Sequence, residues 1–233
     1  MGWDIGALAV RLPVSELKDR FLGLWSKYQL VAKIDNLPNI DALGQWRDAN
    51  EVFVSAVDWT KENPGSEVKG FYADGEWSVL MDFSSIICAD EEELAQFSKA
   101  VGLVIVLTIG MHGGVASLDA YDNGRLVRRI TSIDGRLRTE GEPLPNEQGI
   151  DLDSFYLDGA DALWRSFGLQ SILDHEPPGP MAAICVSDRT DFGAKHSHKL
   201  PEDCGPAADV SLSQTPKGVS APGSPKKRWW RFW

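Results

Sequence analysis

Phe71-Tyr72-Ala73-Asp74-Gly75-Glu76-Trp77-Ser78-Val79-Leu80 is the stretch whose reading decides the fold. Aromatic and apolar residues on either side of an Asp-Gly pair mark two antiparallel strands joined by a tight turn. This hairpin spans Val68 to Phe83. A second one runs from Gly114 to Ser132 and turns at Asp122-Asn123-Gly124, with a further turn at Asp134-Gly135. The run Leu103 to Ile109 is continuous and β-branched, which predicts a strand buried in the sheet. Glu51 to Trp59 alternates, with Val52, Val54 and Ala56 on one face, and Met181 to Val186 reads as one last strand or an isolated apolar patch.

Helical periodicity flanks these strands. After Pro13, with Ser15 as N-cap, Leu17, Phe21, Leu24, Trp25 and Tyr28 fall on one helix face. A second helix starts at Asp90, with Glu93 completing a capping box, buries Leu94, Phe97 and Val101, and stops at Gly102. A shorter third runs from about Asp158 to Phe167 and closes at Gly168. The expected class is α+β: a mainly antiparallel sheet with two or three helices on one side and a disordered C-terminal tail.

The expected organisation is a globular body over residues 1–170, with an outer limit near 204. A linker follows over 205–225, mostly Gly, Ala, Ser and Pro, too poor in apolar residues to recover its ordering entropy. Residues 226–233 form a basic-aromatic end. Charge divides along the same line: the chain carries −11, of which residues 205–233 contribute +4 and the preceding 204 residues −15. An acidic body repels nucleic acid and anionic membrane alike, so no nucleic-acid partner is expected.

The three cysteines, Cys88, Cys185 and Cys204, are too few and too far apart for a disulfide framework. The start Met1-Gly2-Trp3-Asp4 has no signal-peptide pattern, and the longest apolar run is too short to span a bilayer. A cytoplasmic location is expected, with the inner membrane surface as a peripheral site.

Several short patterns have simpler structural explanations. Ser15-Glu16-Leu17-Lys18 has the S-x-x-K spacing of serine β-lactamases, but the companion elements are missing and Ser15 suits a cap. His112-Gly113-Gly114 matches part of an esterase oxyanion loop without any nucleophile elbow, and reads as a tight inter-strand loop. Cys185, His196, His198 and Cys204 lack the paired spacings of a structural zinc site. Asp174-His175-Glu176 reads as a solvated turn, and Glu91-Glu92-Glu93 as charges favouring a helix N-terminus; the acidic pair Asp151 and Asp153 carries no cleft signal. No enzyme activity, metal or cofactor is therefore expected.

The sharpest feature is Lys226-Lys227-Arg228-Trp229-Trp230-Arg231-Phe232-Trp233. Its four cations attract an anionic surface at about 1 kcal/mol each, and its four aromatics suit the headgroup zone of a membrane. The same residues suit capture in a partner's groove, where Trp and Arg are favoured, and Ser-Pro-Lys-Lys-Arg looks like a basic import signal.

Gly75-Glu76-Trp77-Ser78-Val79, Asn123-Gly124-Arg125-Leu126-Val127-Arg128 and Gly141-Glu142-Pro143-Leu144-Pro145-Asn146-Glu147 resemble a group of uncharacterised bacterial proteins, some of them immunity-protein-like. The Trp-rich ending is similar to those of assorted bacterial proteins. The resemblance implies a small α+β domain that binds rather than catalyses, with no catalytic residues. The expectation is a non-enzymatic protein that binds another protein, a basic toxin being the candidate, through its acidic domain. The rival is a peripheral membrane protein recruited to anionic lipid by residues 226–233.

Overall fold

The computed structural model describes residues 4–25, 28–52, 65–85, 87–110, 114–173, 176–177 and 179–188. Among these residues nine strands form a single sheet: β1 (Asp4–Val10), β2 (Tyr28–Leu37), β3 (Ser66–Asp74), β4 (Trp77–Asp82), β5 (Val104–Gly110), β6 (Val115–Asp122), β7 (Arg125–Ile133), β8 (Arg136–Gly141) and β9 (Met181–Asp188). Their spatial order is β2-β9-β3-β4-β1-β5-β6-β7-β8, and every neighbouring pair is antiparallel. Four helices accompany them among the described residues, rather than two or three: α1 (Val14–Leu24), α2 (Ile40–Asn50), α3 (Glu91–Val101) and α4 (Leu157–Ser166). The class is α+β.

The helices cover both faces of the sheet, not one. Strand alternation sends Ala7, Val79, Leu107 and Leu118 to the face under α2 and α4, where Leu43, Leu163 and Trp164 meet them. Leu8, Leu80, Val106 and Tyr121 point the other way, against Leu17 and Phe21 of α1 and Leu94 and Phe97 of α3. The two helices on that second face lock together through rings: Phe21 stacks on Trp25 at 5.0 Å, and Trp25 meets Phe97 at 5.2 Å.

Local chemistry explains the boundaries. Asn39 begins α2 by accepting a hydrogen bond from the Ala42 amide at 2.9 Å, and Asp90 begins α3 by accepting from the Glu93 amide at 3.3 Å. Gly102 ends α3 at φ 84°. Ser15 is not the cap of α1; Pro13 holds that position and Ser15 lies inside the helix. Tyr28 does not extend α1 either, because the helix ends at Leu24 and Tyr28 opens β2.

The β3–β4 turn is Gly75-Glu76, with Asp74 paired to Trp77 as the last step of the ladder. Asn123-Gly124 and Asp134-Gly135 make two further hairpin turns, each with both residues at positive φ. Of the stretch Glu51 to Trp59, Val52 bridges to Ser66 and residues 53–59 lie outside the described residues. β9 belongs to the body although it starts beyond residue 170, since it is inserted between β2 and β3.

Candidate functional site

A polar row crosses the second face of the sheet. Following the register from strand to strand, Lys69 faces Asp82, Asp82 faces Gly6, and Gly6 faces Thr108. Thr108 then faces Ser117, Ser117 faces Thr131, and Thr131 faces Arg138. The adjacent row is apolar at one end, Phe71-Leu80-Leu8-Val106, and continues as Asp119-Arg129-Glu140. Directly opposite side chains in antiparallel strands are near neighbours on one face, so these two rows place their charges side by side.

At one end of the row lies a buried ion pair. The ammonium of Lys69 bonds Asp82, Glu67 and, at 2.8 Å, the Ser84 hydroxyl; Lys69 and Asp82 are both 0% exposed. The other oxygen of Asp82 accepts the Ile87 amide at 2.8 Å and the Cys88 amide at 3.4 Å. Burial acts to raise the Asp82 pKa, but the Lys69 charge and these hydrogen bonds outweigh it and hold the carboxyl below its usual range. Burial likewise acts to lower Lys69, and is outweighed by Asp82 and Glu67, so the ammonium is held above its usual range.

Gly6 makes the arrangement possible. A Cβ there would lie 2.7 Å from the Asp82 carbonyl and 3.0 Å from the Cys88 sulfur. Its absence lets the 3-10 turn Ile87–Ala89 press onto the sheet and seat Cys88 over the row.

Beyond Cys88 the row opens into a cavity of about 310 Å³, lined by Cys88, Glu91, Val106, Thr108, Ser117, Asp119, Arg129 and Thr131. Arg129 donates to Asp119 from Nε at 3.0 Å and from Nη2 at 2.8 Å, and also reaches Glu91 at 2.8 Å. Ser117 donates to the second oxygen of Asp119 at 2.9 Å and meets the Thr131 hydroxyl at 3.1 Å. Burial, reinforced by the Asp119 charge, pushes the neighbouring Tyr121 phenol up to about 12. Burial and Asp82 also drive the Cys88 thiol well above its usual range, so at neutral pH it is a neutral, weakly reactive group. The cavity is thus built from charges already fixed by partners, together with hydroxyls.

No family model, curated protein or solved structure matches this chain.

The residues singled out in the sequence are dispersed. Lys226, Lys227, Arg228, Trp229, Trp230, Arg231, Phe232 and Trp233 lie outside the described residues, as do His112, Gly113, Asp174, His175, His196, His198 and Cys204. Ser15 is exposed on α1, and Lys18 pairs with Asp35 of β2 at 2.6 Å. Cys185 is buried in β9 and donates to the Asn50 carbonyl at 3.3 Å. Asp151 accepts the Asp153 amide at 3.1 Å and the Ser154 hydroxyl at 2.9 Å, a local turn. Among the described residues, Glu91 reaches the cavity from the first turn of α3, and Cys88 lines it as well. The row itself was signalled by polar residues inside apolar strands, Thr108 within Val104–Gly110 and Asp82 at the end of Trp77–Asp82, but their alignment depends on a register that spans seven strands. Among the described residues no helix is long and apolar enough to cross a membrane.

Proposed function

We propose that this chain is a non-enzymatic binding protein whose acidic domain engages a basic protein partner, with a toxin as the candidate in the immunity-like version. The observation that carries this reading is the cavity's charge: Glu91 and Asp119 stand against Arg129, at the foot of a helix that opens with Glu91, Glu92 and Glu93. Glu91 is 64% exposed, so its carboxylate remains accessible to a cation from outside. A negative mouth on a body of net −15 attracts a basic surface and speeds its encounter.

Titration of the full chain with an arginine-rich and a glutamate-rich peptide of equal length tests the idea. Salt-sensitive binding of the basic peptide alone, abolished by Glu91→Lys with Glu92→Lys, is the expected result. Equal binding of both peptides, or no effect of the substitutions, overturns it.

A second reading rests on the +4 charge and clustered aromatics of the C-terminal segment: recruitment to anionic lipid through residues 226–233. Sedimentation with anionic vesicles, comparing the full chain with one ending at Pro225, decides it. Salt-reversible pelleting of the full chain alone supports recruitment, and equal behaviour of the two removes it.

A further inference from the structure

Among the described residues the sheet has two open edges, β2 and β8, and they differ in regularity. β2 shifts register against β9 between Leu30 and Ala32 and again between Ile34 and Leu37, and its Asn36 takes a left-handed φ of 65°. Bulges and kinks of this kind spoil an edge as a template for another strand. β8 pairs with β7 one residue to one from Arg136 to Gly141, all six of its residues are exposed, and its one left-handed residue, Gly141 at φ 82°, stands at its very end.

The backbone of β8 has a definite orientation. Asp134-Gly135 is a two-residue loop with φ 50° and 74°, so its closing pair, Ile133 and Arg136, is the narrow hydrogen-bonded one. Alternation then turns the amides and carbonyls of Arg136, Arg138 and Glu140 toward β7. Those of Leu137 and Thr139 face the open edge.

The side chains of this edge follow a particular order: Arg136-Leu137-Arg138-Thr139-Glu140-Gly141-Glu142. Cations precede Thr139 and anions follow it at matching distances. Arg136, Arg138, Glu140 and Glu142 make no ion pair among the described residues. Charges on an edge ordinarily keep other strands away. In this order they favour one register over its neighbours.

The geometry points to β8 as the docking edge for a second copy of this chain, paired antiparallel about Thr139. In that register Thr139 faces its own counterpart through outward-facing backbone groups. Arg138 then faces Glu140 of the other copy, while Glu142 lies beyond β8, past the left-handed Gly141, and stays outside the ladder. The Arg138–Glu140 pair occurs twice by symmetry, because the two-fold axis passes through the Thr139 pair. Sliding the partner by two residues brings like charges together: centring on Arg138 sets Arg138 against its own counterpart, and centring on Glu140 sets Glu140 against its own. The contact also closes on itself, since the other edge is unsuited to propagate it, so the product is a dimer and not a fibre. Arg138 ends the polar row of one copy and Glu140 ends the charged row of the other, so the two rows join across the axis.

Charge exchange at full length tests this independently of the peptide-binding cavity. By sedimentation velocity and light scattering the wild type runs as a dimer that dissociates as salt rises. Arg138→Glu and Glu140→Arg each run at half that mass, since each places like charges opposite one another. The double variant Arg138→Glu/Glu140→Arg recovers the dimer. Mixing the two single variants also gives a dimer, as one then presents two anions and the other two cations. All four positions are exposed, and matching circular dichroism spectra establish that the variants fold. A monomeric wild type overturns the proposal, as do single exchanges that leave the mass unchanged or mixed variants that stay apart.

Discussion

Arg128 of β7 grips Glu147 with two parallel bonds, Nε to Oε1 and Nη2 to Oε2, both 2.8 Å long. Its third nitrogen reaches the Gly141 carbonyl at 2.7 Å, while Oε1 of Glu147 also accepts the Leu144 amide at 2.8 Å. The pair is nearly enclosed, with side chains 5% and 6% exposed. Arg128 and Glu147 come from two separate sequence motifs, and the ion pair makes them one structural unit that returns the chain from β8 to the body. Glu147→Leu leaves a buried guanidinium without its anion, and a loss of about 3–5 kcal/mol is expected in urea denaturation. Arg128→Met combined with Glu147→Leu recovers much of that loss, because the uncompensated charge is gone.

The Lys69–Asp82 pair makes stability depend on pH at both extremes. Asp82 is depressed in the folded state, so its contribution is present above the ordinary carboxylate pKa, about 4, and is lost as pH falls through the lower folded value. Lys69 is raised, so its contribution is complete below the ordinary value, about 10.4, and is lost as pH rises through the higher folded one. Thermal melts should therefore show a plateau between these limits and a fall outside them. Lys69→Met/Asp82→Leu should flatten both shoulders, and a double variant with unchanged shoulders assigns them to other groups.

Gly6 and Gly70 offer a matched comparison, since a Cβ at either would meet another atom at 2.7 Å. At Gly6 that atom is the backbone carbonyl of Asp82, held in the sheet; at Gly70 it is the end of the Leu43 side chain, which can rotate away. Gly6→Ala should cost about 1–3 kcal/mol, as overpacking does. Gly70→Ala should cost clearly less. Equal midpoints in chemical denaturation would show that the sheet yields at Gly6 as easily as a side chain does.

Cys88 and Cys185 are both raised above the ordinary thiol range, chiefly by burial. Less thiolate at a given pH means slower attack on disulfide reagents. In a Cys204→Ser background, neither should react with a disulfide reagent at pH 8 on the timescale of a free thiol, and both should react once denaturant is added. Rapid labelling of Cys88 in the native protein would mean that the cavity admits the reagent and the thiolate forms there.

Legibility in the sequence followed the locality of the signal. α3 could be read because its cap Asp90, its buried Leu94 and Phe97 and its stop Gly102 all lie within one short stretch. The hairpins could be read because two residues set each turn. β1 gave no signal: Ala7 and Ala9 are small, with none of the β-branched character that marks a strand, yet β1 occupies the middle of the sheet between β4 and β5. α2 was missed since Leu43 is its one buried residue, too little to show a period. The bulges of β2 interrupt its alternation. Of the candidate site only Glu91 and Cys88 were singled out for their chemistry, because strand register, not spacing along the chain, assembles the rest.

The insertion of β9 also sets an order of events during synthesis. β2 leaves the ribosome early, but its sheet neighbour is β9, so residues Tyr28–Leu37 wait for Met181–Asp188 before they can pair. Until then β3 lacks one neighbour and the start of the chain has no seat for β2. Closure over so long a separation is slow compared with the hairpins, which assemble as they emerge. A nascent chain stalled before Met181 would expose β3 as a second regular edge. β9 is therefore the latch of the fold, and its arrival removes that second edge from the newly made protein.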